Sequence, residues 1–140
     1  MAWLAIALVL LGNVAYHLGL RAIPRGANAA VATLAAYVVA TLATAATLPL
    51  LAREIPLLPA LRTLNWSTVV VGVAIVGIEL GYLLAYRAGW TLSTASVTAN
   101  VSLAVVLLGI GTVAFREPVS FSRVAGVAFC VLGLWLVNRR

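Results

Sequence analysis

Residues 67–86 read STVVVGVAIVGIELGYLLAY, running from Ser67 to Tyr86 with one carboxylate, Glu79, inside an otherwise uncharged run. A helix rising about 1.5 Å per residue covers about 30 Å over such a stretch, which matches the hydrocarbon core of a bilayer. The apolar residues are continuous rather than alternating, which excludes a barrel strand, and an open sheet leaves backbone groups unsatisfied in lipid. The stretch therefore predicts a transmembrane helix. It also places a carboxylate near mid-membrane, where its charged form costs about 3 kcal/mol or more.

Working outward, four further runs have the same character. They are predicted at about 2–20, 29–51, 91–115 and 120–138, with the quoted run at 67–86. Stop signals separate them: Arg21 with Pro24-Arg25-Gly26, Pro49 with Arg53-Glu54, Arg87 with Gly89, Arg116-Glu117-Pro118, and Arg139-Arg140. The longest connection, Ala52–Trp66, holds Pro56 and Pro59 and is expected to lie at the membrane interface. Trp66, Trp90 and Trp135 fall near run ends, where an aromatic belt would put them. The first run has no basic residue ahead of it and no small-residue cleavage site, so it is expected to be a retained helix. The whole chain, 1–140, reads as a single all-α transmembrane domain, a polytopic bundle of about five helices.

Composition supports this. The chain has 140 residues, 64% apolar and only 9% charged, against roughly 25% charged in a soluble domain. The surface cannot be made water-facing with so few charges, so the expected partner is the lipid bilayer. The net charge of +6 comes from nine Arg against Glu54, Glu79 and Glu117. These arginines stand singly or in pairs between apolar runs rather than on one soluble face, which argues for headgroup anchoring and against nucleic acid.

Five spans put the termini on opposite sides. Arg21, Arg25, Arg87, Arg139 and Arg140 then share one side, and Arg53, Arg62, Arg116 and Arg123 the other. Basic bias normally fixes orientation. A near tie predicts insertion in both orientations.

Glu79 organises the polar residues. At about 100° per residue, Tyr82 and Tyr86 fall on its face, while Gly77 and Gly81 fall almost opposite. One face is thus expected to pack closely on a neighbour through Gly77-x-x-x-Gly81, and the other to line a polar cavity. Glu79 is the candidate proton acceptor or cation ligand; the alternative is a structural carboxyl bonded to a hydroxyl on the next helix. Other runs carry stripes of their own: Gly12, Asn13, Tyr16 and His17; Thr33, Tyr37, Thr41 and Thr44; and Ser93, Ser96 and Asn100 beside Thr94, Thr98 and Ser102. Ser and Thr are expected to bond their own backbone, and His17 alone could be a packing residue. Asn100 has no such easy escape. The candidate substrate- or proton-binding set is Glu79, Tyr82, Tyr86, Asn13, His17, Tyr37 and Asn100. The last run differs, with Gly126, Cys130 and Gly133 forming a small-residue strip suited to helix association.

No catalytic set, metal site or cofactor is predicted. The chain has one His, no Asp and no Lys, and neither a His/carboxylate metal spacing nor a phosphate-cradling glycine loop. A pairing of Ser96 with His17 is conceivable but has no support, so the chain does not read as an enzyme. A single Cys130 excludes an internal disulfide.

The last two runs resemble a known family. Leu92–Ala114, then Phe115-Arg116-Glu117-Pro118-Val119-Ser120, then Gly126 through Gly133 to Asn138, resemble the end of an EamA-type repeat of the drug/metabolite transporter superfamily. In such repeats a short Glu-containing loop joins the last two helices, and the final helix carries glycines seven apart. The Gly126/Gly133 spacing is also similar to the dimer-forming last helix of small multidrug resistance transporters. Larger members have ten helices in two inverted repeats, so the resemblance implies that this chain is one repeat. It implies a multi-pass protein of the cell membrane, an exporter or secondary transporter of an amino acid, metabolite or cationic drug. Alternating access would come from an antiparallel homodimer or a paired half-transporter. The small multidrug branch carries its carboxylate in the first helix, whereas this chain has its acid at Glu79 in the third. Its drug–proton mechanism therefore does not transfer by residue. Two rival expectations are a non-transporting membrane subunit and a lipid-carrier flippase subunit.

Overall fold

The structure, a computed structural model, describes residues 2–52 and 56–139. Among these it is all-α, with α1 (Ala2–Ala22), α2 (Ala29–Leu51), α3 (Leu57–Arg62), α4 (Trp66–Arg87), α5 (Leu92–Ala114) and α6 (Phe121–Asn138). Five of them, all but α3, are long and apolar enough to cross a membrane.

Local chemistry sets the helix starts. Asn28 caps α2 by accepting from the Val31 N–H at 3.2 Å, and Asn65 caps α4 by accepting from Ser67 at 2.9 Å. Thr91 and Thr94 form a reciprocal capping box at the start of α5, and Ser120 accepts from Arg123 at 3.3 Å at the start of α6. Each side-chain oxygen satisfies an amide that has no intrahelical partner. α4 ends at Arg87 with Ala88 as its C-cap, and Gly89 follows with a φ of 96°, a conformation that favours glycine.

The structure departs from the sequence reading at two places. The Ala52–Trp66 connection contains a helix, α3, where none was expected. Pro56 stands at its N-cap and Pro59 in its first turn, positions where a missing N–H costs nothing. Pro49 lies inside α2, which ends at Leu51 as expected. So near the end its missing donor frees only one carbonyl, and the Ala52 N–H still donates to Leu48 O at 2.8 Å. α1 runs past Arg21 to Ala22. The Arg53-Glu54 stop and Arg140 lie outside the described residues.

The chain divides into two compact units, Met1–Ala88 and Gly89–Arg140. In the first, α4 packs on α1 and on α2. Its core lies at the end where α1 and α4 finish and α2 begins, around Leu20, Leu83 and Tyr86. The opposite halves, residues 3–15 of α1 and 66–78 of α4, are exposed throughout. In the second unit α5 and α6 form an antiparallel hairpin. Asn138 donates to Thr98 at 3.4 Å across its open end. At the loop, Arg116 adopts a φ of 53° and bends the chain back so that the Glu117 N–H reaches Gly111 O at 3.0 Å.

The distribution of burial is inverted relative to a water-soluble domain. Glu79 and Thr33 are buried at 6% and 5% exposure, while Leu4 and Val73 stand out at 77% and 68%. Polar groups inside and large aliphatics outside are the arrangement that a lipid solvent selects.

Candidate functional site

The site lies in the first unit and is built from three helices. Glu79 is on α4 about 12 Å along the axis from Arg87, at about 1.5 Å per residue, which places it inside the span. From there toward the core, α4 presents Tyr82, Leu83 and Tyr86. α1 brings Tyr16 and His17 against them, and α2 brings Thr33 and Tyr37.

The aromatic side chains interlock. His17 meets Tyr82 edge-on with centroids 4.6 Å apart, and Tyr16 meets Tyr82 at 6.2 Å and 81°. Tyr82 and Tyr86 stack at 6.1 Å and 27°. Such contacts each add about 0.5–1.5 kcal/mol beyond area burial. One polar bond fixes the cluster: the Tyr86 hydroxyl lies 2.8 Å from His17 Nδ1, across the α1–α4 interface. Tyr86→Phe is expected to destabilise the chain by about 1 kcal/mol. Tyr82→Phe, which removes a hydroxyl from the same cluster but leaves that bond, is expected to cost less. Unfolding midpoints in detergent micelles measure the difference.

Around Glu79 the hydrogen bonding is incomplete. Glu79 is within electrostatic reach of Tyr16 and Tyr37. Neither hydroxyl reaches hydrogen-bond geometry with any protein group, and the Thr33 hydroxyl is likewise buried without a partner. Buried hydroxyls are ordinarily satisfied, because an unmet one costs about 1–3 kcal/mol. A carboxylate and three unspent hydroxyls together make a site able to accept and donate hydrogen bonds to a bound group.

The structure brings Glu79, Tyr82, Tyr86, His17 and Tyr37 together within this unit. Asn13 is not in the cluster: it lies in the exposed part of α1, and its amide donates to Val9 O at 3.1 Å. Asn100 belongs to the unit Gly89–Arg140. Contrary to expectation it does find an escape, donating to Ser96 O at 2.9 Å within its own helix. Ser96 and Thr112 bond their own backbone as expected, but Thr33 does not. Tyr16 and Thr33 are thus additions to the site. Their signal was present as spacing, since Thr33 stands one helical turn before Tyr37 and Tyr16 adjoins His17.

The glycine faces are open. A Cβ built at Gly77, Gly81, Gly126 or Gly133 meets nothing within 4 Å. Among the described residues of its own unit, the Gly77-x-x-x-Gly81 face therefore meets no neighbouring helix, because α1 and α2 pack on the other side of α4. Gly111 differs, since a Cβ there would lie 3.2 Å from Glu117 Oε2.

No family model, curated protein or solved structure matches this chain.

Proposed function

We propose that this chain is half of a small-molecule secondary transporter or exporter, one EamA-type repeat of the drug/metabolite transporter kind, working in the cell membrane as an antiparallel dimer. Glu79 carries the reading. It is buried within a helix long enough to span a bilayer, beside tyrosine hydroxyls whose hydrogen-bonding capacity is unspent. An intramembrane carboxylate is costly and is retained where it binds a proton or substrate. Tyr16, Thr33, Tyr37, Tyr82, Tyr86 and His17 line the same site.

The half-transporter part rests on the apolar halves of α1 and α4 that nothing in their own unit covers, and on the open Gly126 and Gly133. A second, inverted copy would cover such surfaces and enclose a midplane site between the two. The reading is tested by reconstituting the chain in liposomes and screening amino acids, other metabolites and organic cations for accumulation driven by a pH gradient. Accumulation of one class supports it. Absence of flux for every class would favour a non-transporting subunit, a role with which the lack of any buried residue in α6 also agrees.

The dimer has its own test. Cys130 is exposed near the middle of α6, between Gly126 and Gly133. Two copies paired through this strip bring their Cys130 residues together whichever way the helices run. Mild oxidation of membranes is expected to trap a disulfide-linked dimer, which requires Cα atoms within about 7 Å. A Cβ at Gly126 or Gly133 meets nothing within 4 Å, so Gly126→Ala with Gly133→Ala is expected to spare folding while overpacking the interface by about 1–3 kcal/mol. The trapped fraction is expected to fall about tenfold or more on gel analysis.

A further inference from the structure

A cavity of about 260 Å³ opens where α1 and α4 end, lined by Arg21, Arg25, Arg87 and Tyr86 together with the buried Leu20 and Leu83. Three guanidinium-bearing residues converge there, and among the described residues none lining the cavity carries a carboxylate. Two of them are held rather than free. Arg21 Nη1 donates to Tyr86 O at 3.1 Å, and Arg87 Nη2 donates to Ala27 O at 2.6 Å, tying both to the backbone of neighbouring elements.

Each guanidinium has five N–H donors, so these bonds leave most of the capacity of Arg21 and Arg87 unspent. Arg87 Nε is buried and has no partner. Bringing like charges together and removing a donor from water is unfavourable unless an anion completes the arrangement. The planar fork of arginine fits phosphate oxygens through paired hydrogen bonds, which a lone headgroup anchor does not require. The cavity also lies at the ends of two spanning-length helices, the level at which lipid phosphates sit.

We infer that the cavity between Arg21, Arg25 and Arg87 is a binding site for a phosphate group. The group is either the phosphodiester of an anionic lipid headgroup or a soluble phosphate, and the site stands whether or not the transporter reading holds. Through Tyr86 it adjoins the aromatic cluster, since the carbonyl of that residue accepts from Arg21 and its hydroxyl meets His17.

The test uses the purified full-length chain in detergent, wild type and with Arg25→Gln, Arg21→Gln or Arg87→Gln. Arg123→Gln, an exposed arginine outside this cavity, is the control. Arg25 lies in a turn, so its replacement leaves every helix intact even if the other two variants fold poorly. In native mass spectrometry, one phosphatidylglycerol is expected to be retained per chain in preference to phosphatidylcholine. Arg25→Gln is expected to weaken that retention about tenfold, the scale of one charge-assisted hydrogen bond. Arg123→Gln should leave it unchanged. That outcome supports the site with lipid as its source. Thermal stabilisation by inorganic phosphate over chloride at matched ionic strength, lost in Arg25→Gln, supports it with a soluble source. If Arg25→Gln and Arg123→Gln behave alike in both arms, the site does not exist.

Discussion

Glu79→Gln is expected to reduce pH-gradient-driven accumulation in proteoliposomes to the level of empty vesicles, while membrane insertion and yield are unchanged. The amide is nearly isosteric with the carboxyl but cannot take up or release a proton. Insertion should not suffer, because a neutral group removes a charge cost of about 3 kcal/mol at mid-helix. Glu79→Asp keeps the chemistry but draws the carboxyl back along its side chain by one methylene, away from the neighbouring tyrosines, so partial flux is expected. Tyr37→Phe should lower flux about tenfold, the scale of one hydrogen bond from its unspent hydroxyl to a charged bound group. Full activity of Glu79→Gln would remove the carboxylate from the mechanism and leave it a structural role.

The second large effect concerns orientation. The arginine tie predicts that a C-terminal reporter is found on both sides of the membrane in comparable amounts. The bonds from Arg21 to Tyr86 O and from Arg87 to Ala27 O hold two of the five arginines of one set at one end of their unit, where Arg25 lines the same cavity. Replacing Arg116 and Arg123 leaves five against two. Arg116→Asn is the suitable change because its φ of 53° is one that Asn tolerates, and Arg123→Gln keeps a polar side chain near the start of α6. At about 1 kcal/mol per basic residue near the surface, the pair is worth about 2 kcal/mol, a shift of about thirtyfold in the orientation ratio. A wild-type reporter on one side only would end the dual-orientation idea.

Much of this was legible in the sequence because apolar run length and charged breaks are local properties. The boundaries of α2, Ala29–Leu51, coincide with the expected ones, and those of α4, α5 and α6 differ by one residue at most. α3 was not legible, because two prolines in a short segment read as a breaker until their places at the N-cap and in the first turn are known. Nor was the bond from Arg21 to the carbonyl of Tyr86, 65 positions away, which no local pattern encodes.

The site divides in the same way. Helical spacing put Tyr82 and Tyr86 on the face of Glu79, and that relation needs only one helix. Which residues of α1 and α2 oppose it depends on where those helices touch α4. α1 packs only through its last third, so His17 and Tyr16 enter the cluster while Asn13, one turn back, stays outside and bonds Val9. Thr33 was discounted on the general habit of hydroxyls in helices. Its unpartnered state is visible only once its surroundings are known.

The central claim, that one copy is half of an antiparallel working unit, is tested most directly by site-specific labelling of both termini in intact cells with a membrane-impermeant reagent. The account predicts that each terminus is labelled from outside in one fraction of the copies and protected in the rest. Labelling of one terminus alone, with the other fully protected in every copy, would contradict it.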